Sequence, residues 1–268
     1  MTIAEKITRA KADYDEVYEG GKTKAFSEVE PINAELEQIL YGKDTGGRGF
    51  YDEFWDEYQQ NGTRTNYDEG FAGVGWTKKT FRPKYDIIPK EAYMAFRDNA
   101  AEIDLVDFCD KNGIVIDFSK ITKAQYIFYN ASFTHLGVLD FSTLIDASLM
   151  TGAFNFCRAK TVDLLKLSAT KGAYTATFSD WHYLENITIE GSINCGGANF
   201  SRATKLTKAS ITSIINALST TPSGLAITFS ETAVNKAFET AEGANDGSTS
   251  AEWNALIAPK SNWTISLV

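Results

Sequence analysis

Few side chains in this sequence combine the types and spacing that chemistry at a site demands. The two histidines, His135 and His182, lie 47 residues apart and form no His-Glu-x-x-His pair that would put two imidazoles on one helix face around zinc. The three cysteines, Cys109, Cys157 and Cys195, are too dispersed for a Cys-x-x-Cys site, and an odd count argues against a disulfide framework. Asp52, Glu53, Asp56 and Glu57 are clustered enough to suggest the paired carboxylates of a glycosidase. On a helix, however, they form one solvated face. Gly46-Gly47-Arg48-Gly49 has neither the preceding strand nor the Gly-Lys-Ser/Thr ending of a phosphate loop, and no Gly-x-Ser-x-Gly elbow occurs. Neither histidine has an obvious acid or nucleophile beside it in sequence. No catalytic residue, metal ligand or cofactor is therefore expected. What remains for recognition are aromatic rings lying between apolar positions: Tyr126, Tyr129, Trp181 and Tyr183 are candidate surface-binding residues, and a place in the core is the alternative for each.

These rings belong to a region, from about residue 93, that repeats. Apolar residues at the first, fourth and sixth places recur as Leu136, Leu139, Phe141, as Val162, Leu165, Leu167 and as Leu184, Ile187, Ile189. Partial copies stand at Gly113, Ile116, Phe118 and at Gly224, Ile227, Phe229, and Trp263–Leu267 reads as a last strand. The central positions step by 23, 26 and 22 residues and then by 40 and 38, the longer steps making room for helices such as 210–218. A phenylalanine precedes each strand, at Phe96, Phe128, Phe154 and Phe178. Each unit would lay a short strand beside the next in a parallel ladder, with the phenylalanine filling the core from the opposite side and Cys157 as an inert core filler.

Ahead of the repeats the pattern is helical. Ile3, Ile7, Ala10, Tyr14 and Val17 are spaced 4, 3, 4 and 3, the seam of a short coiled coil. About two heptads are marginal alone, so the seam needs a partner: its own domain, or other chains in a homo-oligomer, with a trimer as one candidate. A second helix is expected over 23–41. A third is expected over 50–58, where Tyr51, Phe54, Trp55 and Tyr58 share one face for packing. Residues 61–92, rich in Gly, Asn and Thr, read as a linker. The expected organisation is a helical oligomerisation and attachment segment (1–60), a linker (61–92) and a repeat domain with a C-terminal cap (93–268).

The charge is divided in the same way. Of 35 acids and 26 bases in 268 residues, residues 1–60 hold 14 acids against 7 bases, and the rest is nearly balanced. The net of −9 lowers the expectation of nucleic-acid binding. The opening Met1-Thr2-Ile3-Ala4-Glu5-Lys6 lacks the apolar core of a signal peptide, and no apolar run reaches membrane-spanning length, so no membrane insertion is expected.

The repeats over roughly 93–230 resemble the BspA-like leucine-rich repeats, in which a Phe, a Cys or small residue and a Leu lead into an Ile-rich strand. The front part, Phe54-Trp55-Asp56-Glu57-Tyr58-Gln59-Gln60-Asn61-Gly62, Gly75-Trp76 and Phe81-Arg82-Pro83-Lys84-Tyr85-Asp86-Ile87, is similar to prophage-encoded repeat proteins of Firmicutes. The resemblance implies an α+β fold: N-terminal helices, then an irregular leucine-rich-repeat solenoid with short parallel strands. It also implies a non-enzymatic tail-region protein of a phage virion, assembled in the bacterial cytoplasm, with other virion proteins and a host cell-surface protein or glycan as partners. An intracellular protein-binding scaffold and, less favoured, a carbohydrate-active enzyme stand as alternatives.

Overall fold

A computed structural model describes residues 50–73, 84–100, 102–174 and 176–268. The expected seam of Ile3, Ile7, Ala10, Tyr14 and Val17 and the expected helix over 23–41 lie outside the described residues. The chain divides into two compact units, 1–63 with 77–85 and 64–76 with 86–268.

In the first unit, helix α1 (Phe50–Tyr58) buries Trp55 and leaves Phe54 exposed. Trp55 meets Phe54 and Tyr58 edge-on, with ring centroids 5.1 and 5.4 Å apart. Gln59, just past the helix, is buried and donates its Nε2–H to the Tyr85 carbonyl at 2.8 Å.

In the second unit every strand pairing is parallel. Strands β1 (Ile103–Asp104), β2 (Phe133–His135), β3 (Val138–Phe141), β4 (Thr161–Leu167) and β5 (Asn186–Gly191) form one sheet: β2 and β3 both pair with β4, which pairs on its other edge with β5. Strands β6 (Ala198–Phe200), β7 (Leu225–Phe229) and β8 (Trp263–Leu267) form a second sheet. In register across the first sheet, Leu139, Leu165 and Ile189 point inward and are buried, while Asp140, Lys166 and Glu190 point outward. Lys166 Nζ lies 3.7 Å from Asp140 and 3.4 Å from Glu190.

The α-helices of the second unit are short and begin at side-chain caps. Asp104 caps α2 (Leu105–Asn112), accepting from the Val106 and Asp107 N–H groups, and Gly113 at φ +64° ends it. Thr207, Ser230 and Ser250 cap α3 (Lys208–Ala217), α4 (Glu231–Ala237) and α5 (Ala251–Ile257) in the same way. Helix α3 lies along β5, where the Ser210 and Ser213 hydroxyls accept from the Ile187 and Ile189 N–H groups at 2.9 and 2.8 Å. Side chains thus satisfy an edge that would otherwise present unpaired donors.

The core holds a file of rings, the first five from turn or bend segments and the last two from strands β6 and β7. Phe71, Phe96, Phe128, Phe154, Phe178, Phe200 and Phe229 are all buried, and each stacks on the next with centroids 4.7 to 5.9 Å apart. The segments carrying the first five rings are joined by backbone hydrogen bonds such as Phe71 N to Ala95 O, Phe96 N to Ile127 O and Phe128 N to Ala153 O.

Two sequence expectations are corrected here. The fold is not the expected α+β leucine-rich-repeat solenoid preceded by helices. The described residues form a five-stranded and a three-stranded parallel sheet with five short helices, the only one of them before residue 61 being α1. The physical difference lies in the core, which is organised by a phenylalanine file rather than a leucine ladder. Nor is 61–92 a linker throughout. Tyr67 and Phe71 are buried, Phe71 heads the ring file, and Glu91 bridges to both Asn66 and Lys123.

Candidate binding surface

Each of four successive segments carries a phenylalanine of the file between two backbone positions in the left-handed region. The first position is Glu69, Met94, Tyr126 and Gly152, and the second is Gly73, Asp98, Asn130 and Phe156. Hydrogen bonds hold these positions in columns: Met94 N to Gln125 O, Tyr126 N to Thr151 O, Asp98 N to Tyr129 O and Asn130 N to Asn155 O. The repeated kink turns the side chains beside the buried phenylalanine outward and stacks them across neighbouring segments.

The result is a continuous aromatic ridge. Tyr93 meets Tyr126 at 6.2 Å, Tyr126 meets Tyr129 at 5.9 Å and Tyr129 meets Phe156 at 5.6 Å, all edge to face. The three tyrosines are half-buried, and Phe156 is 45% exposed. Gly152 seats one of the rings: a Cβ there would lie 2.4 Å from two carbons of the Tyr126 ring, and its φ of +65° also disfavours any other residue.

Polar groups run alongside. Asn130 donates to Asp98 at 2.8 Å, and Ser179 donates to Asn155 at 3.4 Å and approaches Asp180 at 3.5 Å. The cations at the Tyr93 end are paired: Lys123 lies 2.7 Å from Asp68 and 4.8 Å above the Tyr93 ring, and Arg97 lies 3.6 Å from Asp98. The surface therefore offers ring faces and edges, amides, a hydroxyl and carboxylates.

Of the four rings singled out in the sequence, Tyr126 and Tyr129 lie on the ridge. Tyr183 is exposed but makes no ring contact with it among the described residues. Trp181 is not a surface residue. It is fully buried, stacks on Phe154 at 4.3 Å, and its indole N–H donates to the Ala159 carbonyl at 2.8 Å. A large ring with its one polar atom satisfied is stable in the core. Tyr93 and Phe156 were missed. The available signal was the residue two places after each phenylalanine, where Gly73, Asp98 and Asn130 suit a left-handed backbone and Phe156 does not.

The structure also gives His135 the acids that its sequence neighbourhood lacks. Asp104 Oδ2 lies 3.3 Å from Nδ1, and Asp163 Oδ1 lies 2.9 Å from Nε2 but off the N–H axis. Desolvation pulls the His135 pKa down, but the interactions with Asp163 and Asp104 outweigh it and hold the pKa above the ordinary histidine value. Both imidazole nitrogens thus face carboxylates. His182 is exposed. Burial pushes the Cys157 thiol up to about 12, and burial with Asp110 and Asp86 pushes Cys109 up to about 11, which keeps both protonated and unreactive at neutral pH. Among the described residues no group of three His, Cys, Asp or Glu side chains converges to hold a metal ion, and no helix is long and apolar enough to cross a membrane.

No protein-family model matches this chain, and neither does any curated protein or solved structure.

Proposed function

We propose that this protein is a non-catalytic recognition module whose aromatic ridge, Tyr93–Tyr126–Tyr129–Phe156, contacts a cell surface. The setting is the one its sequence resemblance implies, the tail region of a phage particle. The observation that carries the reading is the exposed Phe156 held at φ +58°. Left-handed backbone costs a bulky residue about 1–2 kcal/mol, and an exposed ring recovers little of that by burial. Strain of this kind gathers at functional sites. Stability alone would favour the Gly, Asp or Asn found at the equivalent places. Large rings with a polar rim are also what anchor recognition surfaces.

The seam at Ile3, Ile7, Ala10, Tyr14 and Val17 would make the module an oligomer and attach it to other virion proteins. Several copies would raise the avidity of weak single contacts. An antibody against the chain tests the setting. It should label purified particles at the tail, and the free protein should compete with particles for adsorption to host cells. A protein found only in the cytoplasm of infected cells would favour the intracellular scaffold instead.

A further inference from the structure

We infer that the ligand of this ridge is a neutral saccharide, an inference that rests on the recognition reading above and names its chemistry. The first argument is shape. The rings stand edge to face, so the ridge presents alternating faces and edges rather than one flat apolar patch. A pyranose has the complementary surface: a face of weakly polarised C–H groups that meets the electron-rich face of an aromatic ring, bordered by hydroxyls.

The second argument is the flanking chemistry. Asn130, Asn155 and Ser179 can each donate and accept, and the carboxylates of Asp98 and Asp180 accept. Vicinal sugar hydroxyls need such mixed partners. An apolar peptide segment would offer no partner to the donor and acceptor sites these groups do not use on one another, which is costly.

The third argument is charge. Lys123 and Arg97 are paired with Asp68 and Asp98, while Asp180 has no cation among its contacts in the described residues. The rim is therefore neutral to acidic, which disfavours uronic, sialic or phosphorylated sugars and nucleic acid.

The test is an NMR titration of the full chain with short oligosaccharides of glucose, galactose and N-acetylglucosamine, with oligogalacturonate as the acidic control. A neutral oligosaccharide is expected to shift the resonances of Tyr126, Tyr129 and Phe156, and the acidic one is not. Phe156→Asn, which suits the backbone at this position, should keep an unchanged or raised melting temperature while weakening saccharide binding roughly tenfold. Binding of oligogalacturonate in preference to every neutral sugar would overturn the inference. So would the absence of any shift at the ridge with all of them. If the Phe156→Asn protein loses cell binding while no saccharide binds the native chain, the recognition reading stands and the saccharide inference fails. If neutral sugars bind the ridge but the protein is absent from particles, the virion setting fails and the saccharide inference stands.

Discussion

Asp104 does two jobs with its two oxygens. Oδ1 caps helix α2 and Oδ2 faces His135, whose other nitrogen faces Asp163. When protonated, the imidazole ties β1, β2 and β4 together on the outside of the sheet. Because its folded pKa is raised, the native state binds the proton more tightly than the unfolded chain does. The resulting stabilisation is fully present below about pH 6.5, the ordinary histidine value, and is lost as pH rises through the higher folded value. The groups face solvent, so the effect is at most about 1 kcal/mol. Urea denaturation of the native chain and of His135→Gln should give stabilities that differ in mild acid and converge as the pH rises. A difference that widens with pH would show that the neutral imidazole is the form the fold prefers.

At the scale of elements, the ring file binds successive segments into one unit. Phe154 is stacked on Phe128, Phe141, Phe178 and Trp181 at 5.9, 6.3, 5.7 and 4.3 Å and is fully buried. Phe154→Ala should cost about 3–5 kcal/mol in unfolding free energy, since four rings lose a partner and the cavity cannot fully collapse. A loss below about 1 kcal/mol would mean that the neighbouring segments do not depend on the file. The phenylalanine spacing was legible in the sequence because a buried ring recurs once per segment. So were the inward positions of the strands, since side chains alternate along a strand. Phe71, 25 residues before Phe96, carries the same signal, masked by the Gly- and Asn-rich residues around it. For Trp181, surface and core stay open in the sequence; three residues after Phe178 the chain turns back and sends its ring under Phe154. The ridge and the Asp104–His135–Asp163 cluster depend on the register between segments about 24 to 32 residues apart. Spacing alone does not give that register, because a shift of one residue moves each side chain to the other face.

For the molecule as a whole, the two surfaces of the second unit differ in kind. The outer sheet face carries two charge clusters, Asp104–His135–Asp163 and Asp140–Lys166–Glu190, in each of which one basic side chain lies between two carboxylates. The ridge carries rings and amides on a strained but firmly anchored backbone. The first surface has what a solvated structural face needs, and the second has what a binding face needs. The most direct test of this division is hydroxyl-radical footprinting of the full chain, free and bound to isolated bacterial cell walls. Protection is expected at Tyr126, Tyr129 and Phe156, with Tyr183 and the outer sheet face unchanged. Protection of Tyr183 or of Val138 on the sheet face, with the ridge still fully oxidised, would contradict the account.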